Sequence, residues 1–162
     1  MTRPYDLEPD RREDAPAGLF LSKYGTWFHD GDQLHHKRMA GLLHRSIARD
    51  DAGGLLVTTG RDRLPFVAEC APFVVRSVDG ATIALSDDVH EELAPSTLFC
   101  MRDDGALFVS VKDSGFWALL SRNAQHALQD HIVDDDGYMV VIDDGRWPLR
   151  LVDDAFDPTA VP

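Results

Sequence analysis

The sequence predicts an α+β fold: two repeated strand-helix-strand-strand motifs with mostly antiparallel sheets. Three observations lead there. Short aromatic and β-branched runs alternate with Gly, Asp and Pro turns along most of the chain. Two stretches, following "GTWFH" and "GALFVSV", place apolar residues at helical spacing. The segments around those two stretches also resemble each other. "DDAGGLLVTTGRDRLPF" and "DDDGYMVVIDDGRWPLRL" share two aspartates, a glycine, a β run, a Gly-Arg turn and a proline between apolar residues. Gly25 to Gly105, Gly53 to Gly137 and Gly60 to Gly145 are shifts of 80, 84 and 85 residues. Two such motifs are too few for an array and too long in period for a solenoid.

In order along the chain, residues 1–18 are charged and carry Pro4, Pro9 and Pro16, which predicts an extended or disordered arm. An N-terminal lobe over 19–86 and a C-terminal lobe over 87–152 follow, and residues 153–162 form a tail. "LFLSKYGTWFH" reads as strand, with Asp30-Gly31 supplying the positive φ of a hairpin turn. The first helix is expected to run on until "DDAGG" stops it. Counted at about 100° per residue, Met39, Leu42, Leu43 and Ile47 share an arc of roughly 140° with His36 inside it, a core-facing stripe. Arg38, Arg45 and Arg49 fall within roughly 40° of one another on its rim, with Lys37 and His44 on the far side. The second helix is expected after a cap at Asp113 or Ser114, with Phe116, Leu120, Ala124, Ala127, Leu128 and His131 in its pattern.

Composition narrows the function. The 162 residues carry a formal charge of −12, which repels phosphate backbones and anionic lipid and argues against nucleic acid and membrane as partners. No apolar run approaches the roughly 20 residues that cross a bilayer, and the N-terminus lacks a secretory signal's apolar core, so a cytoplasmic location is expected. Cys70 and Cys100 stand outside any zinc spacing and read as buried thiols.

Four of seven histidines lie between Gly25 and Arg49. His35 and His36 are adjacent, so they diverge on a helix, and no metal or other cofactor is expected from the pattern. The acidic runs at 134, 143 and 153 lack the ligand order of a calcium loop and read as turns. Neither a Gly-x-Ser-x-Gly elbow nor a phosphate-binding glycine loop occurs, and no catalytic residue is assigned. What remains is a candidate ligand site: Trp27 and His29 on one face of a strand, beside Arg38, Arg45 and Arg49. An aromatic floor next to guanidinium groups suits a small carboxylate- or phosphate-bearing ligand, or an acidic peptide.

"GTWFHDGDQL", the helix after it, "GGLLVTT" and "AECAPFVV" resemble a bacterial family, domain of unknown function 1285, clearly so over residues 20–76. Its members read Gly-Thr-Trp-(Tyr/Phe)-His-x-Gly-x-x-Ile, then a helix, Tyr-x-Leu-x-Thr-Pro and an Asp-Ala-Pro-Phe segment. The chain departs from this at Gln33, His36, Thr58-Thr59 and Cys70. The resemblance implies an α+β fold with repeated motifs and a part in signal transduction, and it supplies no catalytic residues. The expected function is therefore a non-catalytic small-molecule or peptide-binding regulatory module acting through a cleft near the first helix, on a protein partner or a second copy. Two other classes compete: a small histidine- or metal-dependent enzyme using His29 or His36, and a structural, oligomer-forming protein.

Overall fold

The computed structural model describes residues 8–86 and 89–162. The chain divides into two compact units, Met1–Pro72 and Phe73–Pro162. In the first, β1 (Leu19–Leu21), β2 (Trp27–His29) and β3 (Asp32–Gln33) form an antiparallel meander. Asp30 and Gly31 turn β2 into β3 with φ of 49° and 89°, a backbone that Asp-Gly adopts at little cost. Helix α1 (Lys37–Arg45) follows, and then a second meander of β4 (Ile47–Arg49), β5 (Leu55–Thr59) and β6 (Asp62–Ala68). β1 and β6 pair in parallel, giving a six-stranded sheet in the order β3-β2-β1-β6-β5-β4. Helix α1 therefore carries the chain from one edge of the sheet to the other.

The face beneath α1 holds the core of this unit. Leu21, Trp27, Val57 and Phe66 alternate onto it and pack with Leu43 of the helix, bordered by Leu34, Ala40 and Ile47. On the opposite face Phe20 and Phe28 pair with ring centroids 6.2 Å apart.

The second unit starts with β7 (Phe73–Val75) and a small sheet of β8 (Ser77–Asp79), β9 (Thr82–Ala84) and β10 (His90–Glu92). The chain continues through β11 (Phe99–Arg102), β12 (Leu107–Val111), β13 (Phe116–Leu120), helix α2 (Arg122–Gln129), β14 (Ile132–Asp134), β15 (Tyr138–Ile142) and β16 (Gly145–Val152). These six strands and β7 form a seven-stranded sheet, β14-β15-β16-β11-β12-β13-β7, in which β11 and β16 are parallel.

The expected α+β class with strand-helix-strand-strand motifs is overturned. The protein is mostly β, with 43% of residues in strands against 11% in helices, and three sheets. Each helix is preceded by three strands and followed by three. Both helices are shorter than their apolar patterns suggest, for different reasons. At the end of α1, the Ser46 hydroxyl donates to the Leu42 carbonyl at 2.6 Å, and Ile47 and Arg49 leave the helix to pair with Val57 and Leu55. Ahead of α2, Phe116–Leu120 is a strand flanked by β12 and β7, and Ser121 caps the helix by accepting from Ala124 N at 3.2 Å. An interior strand covered on both faces reads as one apolar run, which periodicity does not separate from a helix.

The first seven residues of the expected arm lie outside the described residues. Residues 8–18 are held on the first unit. Arg11 bridges Asp32, Arg12 N donates to the Gly31 carbonyl at 2.8 Å, and Gln33 N donates to the Asp10 carbonyl at 2.7 Å. The Arg12 guanidinium lies 5.1 Å from the Phe20 ring centroid and donates to Glu69 at 2.7 Å and to Asp14 at 2.6 Å. The hydrogen bond from Arg12, aided by that from Lys23 N, holds the Glu69 carboxyl below its ordinary value. In the expected tail, Phe156 sets its ring edge-on to Phe108 and Trp117, at 5.0 and 5.4 Å.

Two outcomes follow from this packing. A Cβ at Gly145 would collide with the buried Trp147 ring, whose indole N–H donates to the Ala94 carbonyl at 2.8 Å. Gly145→Ala should lower unfolding free energy by about 1–3 kcal/mol, read by urea denaturation, and an unchanged midpoint would refute the contact. The depressed Glu69 carboxyl adds stability that is present above its unfolded pKa, near 4.5, and is lost as pH falls through the lower folded value. The melting temperature of wild type should therefore exceed that of Glu69→Gln at neutral pH, with the gap closing below about pH 4. A gap that widens on acidification would contradict the assignment.

Candidate functional site

The structure separates the five residues the sequence groups together. Trp27, 1% exposed, lies within the core rather than on an open floor. Its ring meets Phe66 edge-on at 5.0 Å and the His44 imidazole at 5.7 Å, and its indole N–H has no hydrogen-bond partner among the described residues. His29 sits at the exposed end of β2, with Nε2 3.8 Å from the Asp30 carboxylate. Arg49 is on β4 and not on the helix, and its Nη1 donates to the Gly53 carbonyl at 2.8 Å. Only Arg38 and Arg45 remain together, about 20° apart around α1 and about 10 Å apart along it.

The histidines have separate local tasks. His36 caps α1, its Nδ1 accepting from Met39 N at 3.2 Å. His44 Nε2 donates to the Gly25 carbonyl at 3.2 Å, tying the helix to the β1–β2 turn. His35 Nε2 is 3.3 Å from the Asp10 carboxylate. Among the described residues, no three His, Cys, Asp or Glu side chains are grouped to hold a metal, and no helix is long and apolar enough to cross a membrane. Cys100 is fully buried, and burial pushes its thiol up to about 11, so it is protonated at neutral pH.

The helical stripe is turned relative to its expected orientation. Leu43, Ala40 and Ile47 face the core, whereas Met39 and Leu42 are 49% and 46% exposed. The outer face of α1 thus carries Arg38, Leu42 and Arg45 in a row, with Met39 and Lys37 on its flanks. Lys37, Arg38 and Arg45 are exposed and make no ion pair with another described residue. From Gln33 to Arg49 the chain has no Asp or Glu, although it carries 28 of them against 16 Lys and Arg overall. Periodicity puts Met39 and Leu42 in the core stripe and Lys37 on the far side, and the acid-free window is the signal that could have set them beside the arginines.

The fold matches two crystal structures. One is a DUF1285 family protein from Silicibacter pomeroyi DSS-3, with a TM-score of 0.67 and 20% identity, covering 93% of this chain and 88% of that one. The other is a DUF1285 family protein from Shewanella baltica OS155, with a TM-score of 0.56 and 16% identity, covering 69% of this chain and 90% of that one. The fold is that of the DUF1285 family. No family model matches the sequence, and no curated protein matches it. On the DUF1285 fold, the "GTWFHDG" motif is largely structural: Gly25 receives the His44 bond, Trp27 fills the core, and Asp30-Gly31 makes the turn.

This division of roles has a measurable consequence. Trp27→Ala should cost about 3–5 kcal/mol of stability, whereas Arg38→Ala and Arg45→Ala should each stay within about 0.5 kcal/mol of wild type. Chemical denaturation of the three variants reads both numbers, and comparable losses at all three sites would place the arginines in the packing.

Proposed function

We propose that this protein is a non-catalytic regulatory module that docks an acidic segment of a protein partner on the outer face of α1. The observation that carries the reading is the coincidence of unpaired Lys37, Arg38 and Arg45 with exposed Met39 and Leu42 in an acid-free window. Cations in the first turn of a helix oppose its dipole, and α1 has no acidic residue there to offset them. An acidic partner relieves that cost. Met39 and Leu42 favour a peptide over a bare small anion, because apolar contact contributes only where the ligand has apolar surface of its own. Trp27 offers such an anion no aromatic floor, since it lies in the core. Docking of this kind fits the part in signal transduction that the family resemblance implies.

The probe is a fluorescently labelled synthetic peptide alternating Asp or Glu with Leu, titrated with the full chain and followed by anisotropy. Charge reversal by Arg38→Glu and Arg45→Glu together should weaken binding at least about tenfold, and Leu42→Ser should weaken it by a smaller factor. A peptide of the same charge with Leu replaced by Ser should bind less well. Affinity that is indifferent to both the helix substitutions and the loss of leucine would overturn the reading.

A further inference from the structure

The chain itself carries an acidic, partly apolar segment of the kind that α1 would accept. We infer that the β14–β15 hairpin of a second copy docks on the outer face of α1. This rests on the reading of α1 given above and names its partner.

Four observations support the hairpin. β14 is the outer edge of the seven-stranded sheet, and among the described residues no strand pairs with its far side. Asp134, Asp135 and Asp136 are all exposed at its tip. Asp135 is engaged by Arg146 at 2.8 Å, while Asp134 and Asp136 make no ion pair among the described residues. Tyr138, directly opposite Asp134 and on the same face, is 44% exposed, and Val133, on the other face, is 39% exposed. The other acidic pairs fit less well. Asp50 holds the N–H groups of Ala52 and Gly54, Asp104 pairs with Arg102, and Asp153 accepts from Ala155 N. Asp143 and Asp144 follow the buried Ile142 and have no exposed large apolar neighbour. One face of the hairpin thus offers the unpaired Asp134 with Tyr138 beside it, and the tip adds the unpaired Asp136, against two unpaired guanidinium groups and two apolar side chains on α1.

Each copy has a formal charge of −12, so copies repel at long range. At about 0.15 M salt the screening length is about 8 Å, which damps that repulsion more than it damps contacting ion pairs. The two surfaces differ, so a single contact leaves a free hairpin on one copy and a free α1 on the other. Those two free surfaces can meet each other in a reciprocal dimer or recruit further copies, and either outcome is self-association through the same contact.

Sedimentation velocity of the full chain, from low micromolar to about 1 mM at about 0.15 M salt, tests this. The mean mass should rise with concentration above that of a monomer. Arg38→Glu with Arg45→Glu, and Asp134→Lys with Asp136→Lys, should each give a monomer with a wild-type thermal melt. An equimolar mixture of the two variants should associate again, because each reversed surface then meets its complement. That recovery also shows that both variants are folded. A wild-type chain that stays monomeric while α1 still binds the acidic peptide overturns the second copy as partner and leaves the docking reading standing. Association that either reversal leaves unchanged also overturns the inference, and failure of both self-association and peptide binding removes the two together.

Discussion

The parallel pairing of β1 with β6 is the constraint from which the rest of the first unit follows. Each meander can be built locally, with Asp30-Gly31 and Gly60-Arg61 supplying the tight turns. Placing the first strand beside the last puts β3 and β4 at opposite edges, so the chain between them crosses the width of the sheet. Six strands place those edges about 24 Å apart. The nine residues of α1 span about 13 Å, and Leu34–His36 cover the remaining approach. A helix stretched across a sheet covers it with one side only. Leu43 and Ala40 look inward, and Met39 and Leu42 stay exposed on the outer side.

The same constraint explains why His44 matters more to the fold than its place in a histidine-rich window suggests. A crossing helix touches the sheet along a narrow line, so its position depends on a few contacts. His44 supplies two of them at once, a hydrogen bond to the Gly25 carbonyl and an edge contact with Trp27. In the second unit, Gln125 of α2 donates to the carbonyl of Gly105, in the first hairpin of the sheet it crosses. Two chemically different side chains thus perform one positioning task, anchoring a crossing helix to the turn between the first two strands.

Turns were the legible part of the sequence. Asp30-Gly31 and Asp79-Gly80 announce hairpins because few residue pairs take positive φ cheaply, and both form where expected. The fold family was legible from "GTWFHDG" and "AECAPFVV" because those residues are bound to turns and core. Element type failed where burial hides periodicity. Phe116–Leu120 is apolar because it is an interior strand, not because one side of a helix faces a core. The candidate site was half legible. Arg38 and Arg45 do share a face, but the place where α1 ends decides the fate of Arg49, and that end depends on Ile47 pairing with Val57, a contact ten residues away.

Comparison of the two helices shows what on α1 the architecture does not require. Both cross a sheet between a three-strand meander that precedes and one that follows, and both bury only a small inward stripe: Leu43 in α1, Ala124 and Leu128 in α2. On α2 the exposed residues are Arg122, Asn123, His126 and Gln129, a solvated surface with no large apolar side chain. On α1 they include Met39 and Leu42 between Arg38 and Arg45. Since α2 does the same structural work without them, exposed apolar groups on α1 are not explained by folding. Nor does solubility call for them, because apolar surface in water is unfavourable. Their companions are the cations of a chain that is otherwise strongly acidic, and the combination has a physical use where acidic and apolar groups arrive together, as they do on a docking protein segment.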